Sequence, residues 1–380
     1  MKAQVLQSNL HRGLAIVQRA VSSRSTLPVL ANILLSADGD GRLMLAATNL
    51  ELTIRTWIGG KIEAPGTITA PAKTIADLIS NLPGDGDQTV NLSTNDRTVT
   101  LSLSGMGFKS NIKCIDAAEF PLQPPANEGQ GITLPDPKRM IGDVIFAAST
   151  EEGRPTLTGA LLTLAGHVAT LAAADGFRLA VHTATLAAPV EKPQGYLIPS
   201  RALAELAKVL NPNEPLVLCP VEGRDLVLFH NGAVELISSL IEGQYPDFAD
   251  IIPKSYNLRA TINTEELSLA CRSASVFARE AGGTIRLKFV RGDAGKPGTL
   301  TIFAQAAETG DNAIGLDITA EGELGEIELA MNAKYLKDAL DAAQTETVAV
   351  EIISQVSPVV VRPIGRDDSL HVIMPQHFGK

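Results

Sequence analysis

Six histidines and three cysteines are the side chains in this sequence best suited to metal, acid–base or nucleophilic chemistry. His11, His167, His182, His230, His371 and His377 are scattered, and no two stand at helical spacing. Cys114, Cys219 and Cys271 are far apart, odd in number and never in a Cys-x-x-Cys pair. That argues against a disulfide framework or a zinc site and for a reducing compartment. No phosphate-cradling Gly-x-x-x-x-Gly-Lys loop, His-Glu-x-x-His zinc pattern, Gly-x-Ser-x-Gly nucleophile turn or EF-hand spacing is present. Gly105-Met106-Gly107 lacks the third glycine of a dinucleotide fingerprint, and Asp38-Gly39-Asp40 and Asp85-Gly86-Asp87 read as turns. A triad need not be local in sequence, so an enzyme with dispersed Asp and Glu stays open as the alternative. The pattern favours a non-enzymatic binding or scaffolding protein with no cofactor and no metal.

The elements that would position a binding site recur along the chain. Ala173-Ala174-Asp175-Gly176-Phe177-Arg178-Leu179 places an Asp-Gly turn between two apolar runs. Ala46-Ala47-Thr48-Asn49-Leu50-Glu51-Leu52 aligns with it, Thr48 opposite Asp175 and Asn49 opposite Gly176. An amphipathic helix is expected at Leu10, Leu14, Val17 and Val21, another at Met140, Ile141, Val144, Ile145 and Ala148, and a third at Leu267, Leu269, Cys271, Ala274 and Phe277. Asp136-Pro137 and Asn263-Thr264-Glu265-Glu266 supply helix starts. A strand running into a short helix also appears three times, around Pro71-Ala72-Lys73, Pro199-Ser200-Arg201 and Asn332-Ala333-Lys334. Alternating strands follow each, as in Val99 to Leu103, Leu226 to Phe229 and Val348 to Ile352. Pro-, Asn-, Gly- and Gln-rich linkers fall at about 122–133 and 247–258. The derived architecture is a triplicated α+β unit with antiparallel strands, the repeats about 130 residues apart.

Length and composition agree. A chain of 380 residues implies more than one domain. With 45% hydrophobic but only 4% aromatic residues, and Trp57 as the single tryptophan, the cores must be aliphatic. The first residues carry no long apolar stretch, and no run of about 18 apolar residues occurs, so a cytoplasmic protein without a membrane span is expected. A net charge of −10 would repel nucleic acid if it were spread evenly.

Six segments stand in fixed order along the chain: Arg24-Ser25-Thr26-Leu27-Pro28-Val29-Leu30, Ala47-Thr48-Asn49-Leu50-Glu51, Arg154-Pro155-Thr156-Leu157-Thr158-Gly159, Ala174 to Val181, Tyr245-Pro246-Asp247-Phe248 and Val372-Ile373-Met374-Pro375. Through them the sequence resembles the bacterial sliding clamps, the β subunits of DNA polymerase III, over essentially its whole length. The resemblance implies three similar α+β domains, at 1–123, 132–250 and 256–380, in a head-to-tail ring dimer. Helices would line a hole around duplex DNA, with sheets outside. It implies a processivity factor that slides on DNA without sequence preference. The implied partners are the polymerase III alpha subunit, the clamp loader, and other polymerases and repair proteins with clamp-binding motifs. A paralogous or inhibitor-resistant clamp is the alternative within the fold.

By the same resemblance, Arg24, Lys73, Arg154 and Arg201 are the expected DNA contacts, although Pro155 and Thr156 stand where the family often has an aromatic residue. Other basic residues of the repeated helices, among them Arg19, Lys208, Lys334 and Lys337, would make the hole positive while the acid excess lies outside. A peptide groove is implied at Leu157, Ala174, Gly176, Phe177, Arg178, Leu179, Pro246 and Ile251, faced by Val356, Pro358, Val372, Ile373, Met374 and Pro375. Thr is common in the family at position 174 and His at 177, so Ala174 and Phe177 make this groove more apolar. The tail Gln376 to Lys380 departs from the usual ending. Val276 and Phe277 are the implied dimer contacts, meeting the strand near Ile112.

Overall fold

The computed structural model describes residues 1–380 apart from 23–24, 39–40, 83–87, 96, 106, 122–130, 222, 294–295 and 378–380. Arg24, the turns at Asp40 and at Asp85 to Asp87, most of the first linker and the end of the tail therefore lie outside the described residues. The chain divides into two compact units, Met1–Pro135 with Ala204–Leu240, and Asp136–Leu203 with Ile241–Lys380. Each is built on one antiparallel sheet.

Strands are numbered along the chain. The first unit holds β1 (Lys2–Leu6), β2 (Asn32–Ala37), β3 (Arg42–Thr48), β4 (Leu52–Ala64), β5 (Gly66–Pro71), β6 (Thr89–Asn95), β7 (Thr100–Gly105), β8 (Phe108–Lys113) and β9 (Ile132–Leu134). The second holds β10 (Gly159–Ala174) and β11 (Arg178–Pro199). Returning to the first unit, β12 (Leu216–Pro220), β13 (Leu226–Asn231) and β14 (Val234–Ser239) complete its sheet in the order β8-β7-β6-β1-β4-β14-β13-β12-β9, with β3 also on β4 and β2 between β3 and β5. The second unit adds β15 (Leu258–Asn263), β16 (Thr284–Val290), β17 (Gly298–Ala306), β18 (Gly310–Gly322), β19 (Glu326–Asn332), β20 (Thr347–Ile352), β21 (Val359–Pro363) and β22 (Ser369–Ile373). Its order is β10-β11-β22-β21-β20-β15-β18-β17-β16-β19.

Six helices lie on these sheets among the described residues: α1 (Gln7–Val17), α2 (Ala72–Ser80), α3 (Pro137–Gly142), α4 (Ser200–Val209), α5 (Thr264–Ala278) and α6 (Ala333–Ala343). The repeated strand-to-helix junction is β5–α2, β11–α4 and β19–α6. Asn263 caps α5 by accepting the Glu266 N–H at 3.0 Å, and Asn332 caps α6 by accepting the Lys334 N–H at 2.9 Å. Leu10, Leu14 and Val17 of α1 are buried at helical spacing, as expected. On α5 the buried set is Leu267, Ala270, Cys271, Ala274 and Ala278, so Leu269 belongs to the opposite, exposed face.

Two expectations change. The helix expected through Ala148 stops at Gly142, because Asp143 turns inward, 1% exposed, to accept hydrogen bonds from His182 and Arg366. The repeated turn also aligns one residue away from the sequence reading. Asn49 Oδ1 accepts the Glu51 and Leu52 N–H groups at 3.1 and 2.7 Å. Asp175 Oδ1 accepts those of Phe177 and Arg178 at 2.9 and 3.0 Å. Leu50, with φ 79°, therefore matches Gly176, with φ 93°. Asn and Asp do the same local work in such turns, which the residue-by-residue alignment obscured.

Candidate functional site

The β10–β11 hairpin turns at Asp175-Gly176, and β22 pairs with β11 so that Arg178 stands opposite Ile373 and Leu179 opposite Val372. Beyond the paired residues the Met374 N–H donates to the Phe177 carbonyl at 2.8 Å. This brings together, within the second unit, segments almost two hundred residues apart. Side chains alternate along β22. Val372 joins Leu179, Val181, Ala172 and Val360 in one apolar cluster, while Ile373 points to the main core under α5 and α6.

Above the first cluster lies an open cavity of about 510 Å³. Its lining is Arg154, Leu157, Ala174, Gly176, Phe177, Arg178, Leu179, Tyr245, Pro246, Phe248, Ile251, Pro358, Val372 and Met374. Leu157 is set by the 3-10 turn Pro155–Thr158 and packs with Leu197 and Tyr245. Tyr245 and Phe248 meet edge to face with ring centroids 6.5 Å apart. Burial, reinforced by the charge of nearby Asp175, pushes the Tyr245 phenol up to about 12, so it stays neutral. Phe177, Ile251 and Met374 are exposed large apolar side chains at this opening. Gly176 is needed for its positive φ; a Cβ there would meet only the guanidinium end of the exposed Arg154 side chain, at 3.1 Å, which can move aside.

Eleven of the fourteen expected groove residues line the cavity, and Val356, Ile373 and Pro375 do not. Ile373 is buried on the other face of β22, and Val356 is 70% exposed on the loop before β21. Three lining residues were not expected there: Arg154, Tyr245 and Phe248. The signal for the aromatic pair was present in Tyr245-Pro246-Asp247-Phe248, of which only Pro246 was expected in the groove.

Arg154, expected on DNA, is exposed at this groove against Gly176. Lys73 and Arg201 are exposed in the first turns of α2 and α4, at equivalent places of two repeats. The helices are less uniformly basic than their Lys and Arg count suggests. Glu205 pairs with both Arg19, at 3.1 Å, and Lys208, at 2.8 Å, and Lys337 pairs with Asp341. Of the expected dimer contacts, Val276 is 57% exposed on α5, Phe277 packs against the core of its own unit, and Ile112 is buried within the first unit.

Beside the groove strands lies a buried charged cluster. Asp143 Oδ2 accepts from His182 Nδ1 at 2.9 Å and Arg366 Nη2 at 2.6 Å, and Arg366 Nε donates to Asp368 at 2.9 Å. Burial opposes the Asp143 charge, but the hydrogen bonds from His182 and Arg366, with their charges, hold its carboxyl below the usual range. Asp143, His182 and Asp368 have ligand atoms close enough to share a metal ion. Here the Arg366 guanidinium supplies the balancing cation to both carboxylates. His371 is buried nearby, and burial pushes it down to about 4.

Comparison with known proteins follows the same outline. Sequence patterns described as the DNA polymerase III beta subunit N-terminal, central and C-terminal domains match residues 1–124, 134–247 and 249–377 in that order. The chain is 33% identical over 382 residues to the beta sliding clamp of Synechococcus elongatus, covering 99% of each. It is 31% identical to that of Staphylococcus aureus over 366 residues, 94% of each. The crystal structure of the DNA polymerase sliding clamp from Bacillus subtilis superposes with a TM-score of 0.91 at 27% identity, over 100% of both chains. That of the DNA polymerase III subunit beta from Pseudomonas aeruginosa gives 0.90 at 25%, again over 100% of both.

Proposed function

Because the chain belongs to the DNA polymerase III beta subunit family, the beta sliding clamps, we propose that it is a processivity clamp that encircles duplex DNA and tethers polymerase and repair proteins. It acts as a topological tether and catalyses no reaction. The observation that carries the tethering role is the apolar cavity between the Asp175-Gly176 turn and the strand ending at Met374. Such a surface takes a short peptide by burying its large apolar side chains, each worth about 1.5–3 kcal/mol. The partners are the polymerase III alpha subunit, the clamp loader, and other polymerases and repair proteins with clamp-binding segments. Phe177 and Ala174 favour bulky apolar side chains in those segments.

Two copies close head to tail, the exposed Val276 on α5 of one facing the first domain of the other. The domains run over 1–123, 132–250 and 256–380, in keeping with the three strand-to-helix junctions. Lys73 and Arg201 hold DNA phosphates without reading sequence. Arg24 and Arg154 are assigned the same role, Arg154 at the groove edge. No helix among the described residues is long and apolar enough to cross a membrane. An image of single particles tests the assembly. A ring with a central hole is expected, at about twice 40.0 kDa; a compact particle of one chain overturns it.

A further inference from the structure

Arg178 lines the groove, yet each of its three guanidinium nitrogens donates to the protein. Nε donates to Asp175 Oδ2 at 3.0 Å, Nη1 to Asp338 Oδ2 at 2.6 Å, and Nη2 to the Phe146 carbonyl at 2.6 Å. The group lies 4.4 Å from the Tyr335 ring centroid and 5.4 Å from that of Phe146. Its side chain is 9% exposed. A guanidinium held by two carboxylates, a carbonyl and two rings offers little charge to a ligand. It is a strut between α6, which carries Tyr335 and Asp338, and the turn that walls the groove. Asp175 ties the two ends together, since Oδ1 holds the Phe177 and Arg178 N–H groups while Oδ2 takes Arg178 Nε.

The first unit makes the complementary case. Its turn is fixed to a neighbouring strand in the same way, the Ser239 N–H donating to the Glu51 carbonyl at 2.8 Å as Met374 does to Phe177. That relation puts Leu52 at the place of Arg178, Glu51 at that of Phe177 and Ser239 at that of Met374. The turn alone therefore does not need the strut. The arginine accompanies the copy in which Phe177 and Met374 stand exposed around a cavity.

We propose that Asp338 on α6 is a positioning residue for the peptide groove, holding Arg178 so that the Asp175 to Phe177 turn keeps a fixed place beside Val372 and Met374. This rests on the groove reading above. The planar fork of Arg is required, because Lys cannot span Asp175, Asp338 and the Phe146 carbonyl together.

The test uses the full chain and a fluorescein-labelled hexapeptide containing two Leu and one Phe, followed by anisotropy, with amide hydrogen exchange on the protein alone. Asp338→Asn is expected to weaken the peptide about tenfold, chiefly through faster dissociation, and Asp338→Glu to restore most of it. Arg178→Lys should weaken binding similarly, and adding Asp338→Asn to it should change binding less than about twofold. In the free protein, Asp338→Asn should speed exchange of the Phe177 and Arg178 amides about tenfold. Unchanged protection of those amides in Asp338→Asn overturns the proposal whatever the peptide does, and so does multiplication of the two single effects. Failure of the unaltered protein to bind the peptide, with the exchange effect present, instead counts against the groove reading while the positioning of the turn stands.

Discussion

Met374 and Phe177 are joined by a backbone hydrogen bond of 2.8 Å, although 196 residues of chain separate them. That bond closes one end of the groove, and the side chains of both residues remain exposed beside it. Replacing either by Ala removes apolar area without touching the bond. Each of Phe177→Ala and Met374→Ala should cost about 1–2 kcal/mol of peptide affinity, roughly 5- to 30-fold in Kd. Calorimetric titration reads this directly, with the unfolding midpoint unchanged. An affinity equal to that of the unaltered protein in both variants would remove the groove from the account.

Gly176 and Leu50 occupy the same place in two copies of one turn, both at positive φ. Opposite outcomes follow from that equivalence. Gly176→Ala should destabilise by about 1–2 kcal/mol, from backbone strain at its positive φ. Leu50→Gly should be neutral or stabilise by up to about 1 kcal/mol, because it relieves backbone strain while removing a side chain that is exposed. Denaturant unfolding of the two variants checks the pair. Destabilisation by Leu50→Gly beyond about 1 kcal/mol, the cost of a Gly placed in a regular element, would contradict the equivalence.

How much of this was legible in the sequence follows from how local each signal is. The strand-to-helix junctions at Pro71, Pro199 and Asn332 were readable because cap, helix and strand lie close together along the chain. The turn was readable in kind but not in register, because Asn49 and Asp175 make the same bonds with different neighbours. Period-two alternation along Val372-Ile373-Met374 would have excluded Ile373 from the groove, but the family motif supplied all three together. Asp338 and Tyr335 were not legible at all. Nothing in α6 marks them, and their meaning arises only where the chain folds back on Arg178, 160 residues from Asp338. Asp143 likewise reads as part of a helix, since its buried partners are distant in sequence.

The buried cluster gives stability a pH dependence. His371 is held down to about 4 by burial, against an ordinary value of 6.5, with Asp143, His182 and Arg366 as its ionisable neighbours. The unfolded chain therefore binds a proton that the folded chain refuses as pH falls from 6.5 to 4, and stability drops over that window by up to roughly 3 kcal/mol. The Asp143 carboxyl, held low, adds a second loss at still lower pH, as it is protonated. His371→Leu should flatten the slope between pH 6.5 and 4, and unfolding midpoints measured across that range check it. An unaltered slope in the variant assigns the acid sensitivity elsewhere.

Val276 is exposed on α5, and the proposed head-to-tail contact sets it against a second copy. Val276→Asp should convert a dimer to single chains at micromolar concentration, since an unpaired carboxylate at the centre of an apolar interface is costly. Sedimentation reads the mass. A dimer undiminished by the charge would place the interface on another surface.

The proposed role of Lys73 and Arg201 is to hold DNA through its phosphate charge, without reading bases. Replacing Lys73 and Arg201 by Ala should lower the salt dependence of DNA association, by about one unit of slope for each phosphate that the variant ring no longer neutralises. A fluorescence titration at several salt concentrations gives that slope, and an unchanged slope would clear both residues of a role at the phosphates.

Retention on DNA of defined topology tests the central claim most directly. With a clamp loader and ATP, the protein is loaded on a nicked circle, and the circle is then cut once. A topological tether remains on the closed circle through gel filtration in high salt and is lost on linearisation, as it slides from the ends. Equal retention on circular and linear DNA would contradict the account, because binding would then depend on affinity rather than on encirclement.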